Sequence, residues 1–389
     1  QATLTPTHVH LPFPEMLPYS DWAMPTELPE LRNRGAKQFS IDIESYDPEL
    51  REKGPGFVRG NAHVVGVAVK CDGFKKYFPV RHLQGDNLAP NVFFPWLEEQ
   101  LGGDEPKVGA NLLYDLEGLW YEGVRRIGGR FLDVQVAEPL LDEDSIKGYS
   151  LEVLAQKHLK VGKNEDLLRE AASLYTVDFK GRKALPLDPK SGMWVLPAKY
   201  VGAYAEADVE LPAQIITLQS EMLHKEGLDR IFELETKLIP ILLQMRIRGS
   251  RVDLEKADLL MRRLRQLEDT ASMDIAKLAG FDVNVNAADD LAKVYDRFRI
   301  IYGRSKTGRP SFTAEWLEAQ DDPFSGLVRR KRKLMNMRNN FVDGDIIKSA
   351  VNGRVHAQWH QLRQDDRGTR SGRFSSTNPV FAVQPVSQT

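Results

Sequence analysis

The sequence predicts a mixed α/β domain followed by a mostly α-helical region, and three observations carry that expectation. Residues 38–45, Gln-Phe-Ser-Ile-Asp-Ile-Glu-Ser, alternate apolar and polar side chains as a half-buried strand does. Residues 63–70, rich in valine, and residues 76–80 add two more strand-like runs. From residue 92 onward the apolar spacing turns helical, through 92–101, 112–126, 151–159, 167–175 and 199–227. Strands first and crossover helices after them mark an α/β domain ending near residue 227.

The segment before the first strand holds Pro6, Pro12, Pro14, Pro18, Pro25 and Pro29, which favour an extended arm over residues 1–37. A Gly/Pro-rich loop at 53–60 separates the first two strands. Gly181, Pro186, Pro189, Gly192 and Pro197 mark residues 178–198 as a loop before the long helix. Beyond it, residues 229–248 are amphipathic with Pro240 inside, Gly249 is a natural C-terminal cap, and Asp253 is a natural N-cap for a helix to about residue 278.

Composition bounds the function. The 389 residues suit two domains, and 42% hydrophobic with 28% charged residues is an ordinary globular balance. No apolar run approaches the roughly 20 residues that span a bilayer. The single cysteine, Cys71, excludes an internal disulfide framework and fits a reducing cytosol, so a cytoplasmic location is expected. Net charge is −2, but residues 323–373 carry 12 Lys/Arg against 4 Asp/Glu, leaving −10 for the remainder. A basic C-terminal part and an acidic remainder suggest phosphate contacts at one end and metal chemistry at the other.

Asp42 and Glu44 stand two apart on the first strand, so their carboxylates share a face while Ile41 and Ile43 point the other way. Two acids held close repel each other, and a hard divalent cation such as Mg²⁺ relieves that repulsion. Asn111 and Asp115 stand four apart at the start of a helix, among small and apolar residues that would bury the carboxylate. Tyr204 and Asp208 are again four apart on the last helix of the domain, setting a phenol beside a carboxylate. Each pattern alone is weak. His82, after residues 78–81, reads as a structural histidine.

In this order, Asp-x-Glu, Asn-x-x-x-Asp and Tyr-x-x-x-Asp resemble the proofreading exonucleases of the DEDD superfamily, in the subclass whose last motif carries tyrosine. The resemblance implies an RNase H-like mixed sheet with flanking helices and a catalytic set of Asp42, Glu44, Asp115, Tyr204 and Asp208. It also implies two Mg²⁺ or Mn²⁺ ions held by Asp42, Glu44, Asp115 and Asp208. Asp42 would bridge both ions, Glu44 and Asp208 would complete one site, and Asp115 would serve the second through water. Tyr204 would orient the attacking water, and Asn111 would hold the substrate backbone or the helix start.

The downstream segments resemble family A DNA polymerases, the DNA polymerase I-like enzymes. Residues 235–253 resemble the opening of the thumb, residues 280–284 and 306–315 the stretches that follow it. Residues 329–333 and Arg338 lie where that family returns to the palm with basic residues. Thr369, Arg370, Gly372, Arg373, Ser375 and Ser376 resemble the motif that contacts primer–template DNA. Ser371, Phe374 and residues 378–385 depart from the family pattern, which suggests a divergent, viral branch acting in the host cytoplasm.

The domains expected from this resemblance are the arm at 1–37, the 3′→5′ exonuclease at 38–228, a mostly helical thumb at 229–350 and the start of a palm at 351–389. The expected partners are a single-stranded DNA 3′ end at the exonuclease site and a primer–template duplex at the thumb, with a processivity or other replisome partner left open. The palm and fingers motifs of nucleotidyl transfer are absent from the sequence, so the exonuclease is its one complete set of residues. The sequence also leaves two alternatives: a free-standing nuclease of the same superfamily acting on DNA or RNA, and an inactive DNA-binding scaffold.

Overall fold

A computed structural model describes residues 7–32, 36–179, 182–363, 368–369 and 371–377. The chain divides into two compact units, residues 1–249 with 356–389, and residues 250–355.

The first unit is built on a five-stranded sheet. Its strands are β2 (Phe39–Tyr46), β3 (His63–Cys71), β4 (Phe74–Pro79), β5 (Lys107–Gly109) and β6 (Phe131–Asp133), after a short β1 (His8–His10) outside it. The order is β4-β3-β2-β5-β6, antiparallel among the first three and parallel among the last three. The sheet is therefore mixed, as the resemblance implies. β5 and β6 carry no strand signal in the sequence, because three residues are too few to show a period of two.

Helices flank both faces. After a single turn, α1 (Leu50–Lys53), come α2 (Pro90–Leu101), α3 (Leu112–Tyr121), α4 (Val134–Leu141), α5 (Leu151–His158), α6 (Asp166–Ser173), α7 (Gly202–Lys225) and α8 (Asp229–Arg248). Ile41, Ile43, Val67, Val69 and Phe78 pack with Phe93, Leu97, Leu116, Leu119 and Leu242 into one core. Ala68 and Tyr77, on the opposite face, pack with Ala205 and Val209 of α7. Each fully buried Leu, Ile, Val or Phe contributes about 1.5–3 kcal/mol. The alternation that sends Ile41 and Ile43 into the first core sends Asp42 and Glu44 toward the face crossed by α7.

The segment expected to be a loop at 178–198 contains a hairpin, β7 (Thr176–Phe179) with β8 (Arg182–Pro186), and β1 of the arm adds to it antiparallel. Short strands set among glycines and prolines carry turn signals that outweigh their own. Among its described residues the arm also forms a 3-10 turn at Pro14–Met16, and it is docked. Leu31 is fully buried, the Trp22 indole donates to Glu206 Oε1 at 2.9 Å, and Gly202 lies so close under that indole that a Cβ there would meet it at 2.1 Å.

The second unit opens with β9 (Ser250–Arg251) and α9 (Leu254–Ala279), whose N-cap is Asp253 as expected: its side chain accepts from Lys256 N. Next come α10 (Ala288–Phe298), β10 (Gly303–Arg304), β11 (Pro310–Ser311), α11 (Ala314–Glu318) and α12 (Pro323–Asn336). α12 continues into a π-helical stretch, Met337–Ile347, far longer than the usual single π turn. β12 (Ala350–Val351) and β13 (Arg354–Val355) close the unit on β9. Tyr295, Phe312, Trp316 and Phe324 form its aromatic core. β14 (Gln358–His360) and β15 (Ser375–Thr377) then pair within the first unit.

Candidate metal centre

Strand β2 and helix α7 bring three carboxylates together. Asp42, Glu44 and Asp208 each offer an oxygen, and these oxygens all lie within 4.8 Å of one another. Asp42 is partly exposed, whereas Glu44 and Asp208 are buried. Asp115, on α3, is buried beside them, and its Oδ1 accepts a 3.0 Å hydrogen bond from the backbone N–H of Ile43, between the two strand acids. Tyr204 lies one turn before Asp208 on α7 and is also buried.

The electrostatics are those of an undercompensated acidic cluster. Burial, then the charge of Asp208, pushes the Asp42 carboxyl up to about 8. Burial, then Asp42 and Asp208, raises Glu44 well above its ordinary range. Burial and Asp42 do the same to Asp115, against the Ile43 N–H that favours its anion. Asp208 is raised by burial but held down by Lys163, whose ammonium donates to Oδ2 at 2.7 Å. Burial and the adjacent carboxylates keep the Tyr204 phenol protonated.

The residues fit a divalent cation. The donors are all hard carboxylate oxygens, the kind Mg²⁺ and Mn²⁺ take. Asp208 Oδ1 is buried without a hydrogen-bond partner, and an orphaned anionic oxygen beside two more carboxylates is costly unless a cation completes it.

Two groups that sequence reading passed over help to build the site. Asp133 accepts from the backbone N–H groups of Asn111 (3.1 Å) and Leu112 (2.7 Å) and caps α4 through Gln135 N (2.8 Å). It thereby fixes the start of the helix that carries Asp115. An aspartate before the apolar run at 134 was a legible cap signal. Lys163, between α5 and α6, has no pattern that could have flagged it. His82 is structural, as expected: its Nδ1–H donates to the Leu196 carbonyl (2.7 Å), its Nε2 accepts from Tyr77 O–H (2.7 Å), and burial pulls its pKa down to about 4.

The remaining sequence candidates are dispersed. Asn111 has left-handed backbone (φ 63°), a conformation asparagine tolerates better than most residues, and its side chain is exposed. In the second unit, the Arg338 guanidinium donates to both carboxylate oxygens of Glu268, at 2.6 and 3.0 Å. Arg332 donates to the carbonyls of Val285 and Phe312, while Arg330 and Lys333 are exposed. Near the C-terminus, the Thr369 hydroxyl donates to the Arg373 carbonyl at 2.6 Å across a turn in which Gly372 takes φ 68°. Arg373 is exposed there, Ser375 is half-buried, and Ser376 is buried within β15. Arg370 and residues 378–385 lie outside the described residues.

Relatives give this site its context. The chain is 36% identical over 387 residues to a DNA-directed DNA polymerase of Pseudomonas phage M6, covering 94% of this chain and 56% of the relative. It is 27% identical to DNA polymerase DpoZ of Vibrio phage phiVC8 (88% and 55% covered) and 26% identical to DNA polymerase I of Chloroflexus aurantiacus (92% and 36% covered). The fold is shared with the POL domain of Pol1 from M. smegmatis, solved in complex with DNA primer-template and dNTP, at a TM-score of 0.64 and 17% identity over 91% of this chain and 53% of that one. No family model matches. The chain belongs to the family A DNA polymerases of phage type. It spans about half the length of the phage relatives it matches. Among the described residues, no helix is long and apolar enough to cross a membrane.

Proposed function

We propose that residues 38–228, within the first unit, are the 3′→5′ proofreading exonuclease of a phage DNA polymerase, removing nucleotides from DNA 3′ ends with Mg²⁺ or Mn²⁺. The observation that carries this reading is the meeting of Asp42 and Glu44 from one strand with Asp208 from a distant helix, all within 4.8 Å. Asp42, Glu44 and Asp208 would hold one cation, and Asp42 with Asp115 would serve a second. Cations held by these residues would supply an acidified water for attack on phosphorus and charge neutralisation at the leaving 3′ oxygen.

The chain's own groups do the rest. β2 and α7 fix three acids on rigid elements, and the Ile43–Asp115 bond holds the fourth. Tyr204, protonated, can orient the attacking water through its phenol. No histidine base is called for: His82 is buried and committed to Leu196 and Tyr77.

The exonuclease is proposed for residues 38–228, with a thumb at 229–350 and the beginning of a palm at 351–389. The largely helical unit 250–355 supports the thumb, and its exposed Arg330 and Lys333 suit phosphate contact. For the primer–template duplex, exposed Arg373, the tight turn at Gly372 and half-buried Ser375 suit backbone contact, whereas the Thr369 hydroxyl is committed to the Arg373 carbonyl and Ser376 is buried. Polymerase likeness along 94% of the chain argues against a free-standing nuclease, and the presence of all four acids argues against an inert scaffold. The test is incubation of the full chain with a 5′-labelled DNA single strand. Stepwise 3′ shortening in Mg²⁺ that stops in EDTA is expected, and an intact strand in Mg²⁺ refutes the reading.

A further inference from the structure

We infer that Lys163 is the positioning residue of this centre: its ammonium takes Asp208 Oδ2 so that the other oxygen, Oδ1, is presented to the cation. The inference rests on the exonuclease reading and goes one layer outward from it.

Four observations support it. Lys163 Nζ lies 2.7 Å from Asp208 Oδ2, and the two side chains are only 10% and 7% exposed, so the pair is shielded from solvent screening. Asp208 is thus asymmetric: Oδ2 is paired with Lys163, whereas Oδ1 is buried without a hydrogen bond, and the Tyr204 phenol beside the carboxylate also favours its charged form. The same ammonium stands 5.2 Å from the centroid of the Tyr204 ring, so one cation braces both members of the Tyr-x-x-x-Asp pair. The segment carrying it is anchored: Lys160 takes a left-handed turn (φ 60°) after α5, and buried Glu165 pairs with Arg169 and with Lys190 at 2.8 Å. A lysine there for solubility would point to water. This one spends its charge on a metal-ligand carboxylate.

Outer-sphere partners of this kind orient ligands, and their loss typically weakens metal binding about 10- to 100-fold. A lysine acting only as a counter-charge has the opposite signature, because removing a positive charge beside a cation site tightens cation binding. The sign of the change therefore separates the two roles.

The experiment is calorimetric titration of Mn²⁺ into the full chain, comparing wild type, Lys163→Met and Lys163→Arg, with folding checked by circular dichroism. Lys163→Met is expected to bind Mn²⁺ about tenfold more weakly, and Lys163→Arg, which keeps a donor and the charge, to stay within about threefold of wild type. Unchanged or tighter binding by folded Lys163→Met overturns the proposal. If methionine prevents folding, Lys163→Gln is judged by the same criterion, and failure of both variants to fold assigns Lys163 a purely structural role and overturns it too. Because the readout is ion binding, it separates from the activity claim. Wild type that binds Mn²⁺ in a Lys163-dependent way yet leaves DNA intact keeps this inference and loses the exonuclease. Wild type that shortens DNA while Lys163→Met binds Mn²⁺ normally does the reverse.

Discussion

Asp115 Oδ1 accepts the backbone N–H of Ile43 at 3.0 Å, and that one bond ties helix α3 to the strand between Asp42 and Glu44. A carboxylate proposed for metal work thus also satisfies a buried donor, so its two duties can be separated by substitution. Asp115→Asn keeps an acceptor and removes a charge that burial disfavours; it should melt at or above the wild-type temperature in EDTA. Asp115→Ala leaves the Ile43 N–H unsatisfied and should cost about 1–3 kcal/mol. Both should lose Mg²⁺-dependent shortening of DNA by about 100-fold or more, a size typical for loss of a group that acts in the transition state. Chemical denaturation and the labelled-strand assay together check the pattern.

Without divalent ions the acidic cluster should make stability fall as pH rises. Asp42 keeps its proton to about pH 8 in the folded chain and loses it near 3.8 when unfolded. Between these values the folded state binds the extra proton, so raising pH favours unfolding. Melting temperature in EDTA should decline across that window more steeply for wild type than for Asp42→Asn. Mg²⁺ should bind more tightly as pH approaches 8, releasing the protons it displaces. Equal slopes for the two proteins would contradict the assignment.

Asp133 supports the site from behind. Its carboxylate accepts three backbone N–H groups, from Asn111, Leu112 and Gln135. Asp133→Ala should destabilise the chain by about 2–4 kcal/mol, since each buried donor left unmade costs about 1–3 kcal/mol and water can reach some of them. Amide exchange at Asn111 and Leu112 should accelerate ahead of the β2 and β3 amides.

Arg338 resembles a phosphate contact in sequence, yet its guanidinium grips Glu268 in two bonds. Arg338→Ala should therefore destabilise the second unit by about 1–3 kcal/mol, because a carboxylate that is largely buried loses its partner. Glu268→Ala in the same chain should recover part of that loss. Full additivity of the two changes would show that the pair is not coupled.

Much of the sheet and most long helices were legible because their periods repeat. β2 and β3 differ from expectation by at most a residue at either end, and α8 spans the expected residues. Helix α3 stops at Tyr121 rather than 126, where Gly123 takes φ 98°. β5, β6 and the β7–β8 hairpin were hidden by shortness. The four acids stand out because their motifs, taken in order, resemble those of the DEDD exonucleases; strand and helix spacing alone is a weak signal. Lys163 does not, since it comes from an irregular segment and meets Asp208 only through tertiary folding. Arg338 shows the converse: its basic neighbourhood was visible, but its partner Glu268, on another helix, was not.

Asp42 and Glu44 are proposed to supply the chemistry of a 3′ exonuclease. The most direct test is the rate of 3′-nucleotide release from a 5′-labelled DNA strand in Mg²⁺, for the wild-type chain and for a folded Asp42→Ala/Glu44→Ala double variant. Stepwise release by the wild type is expected, with a rate at least about 1,000-fold lower for the double variant, as loss of the ions' charge stabilisation and activated water requires. Release by the double variant at the wild-type rate would contradict it and place the chemistry elsewhere.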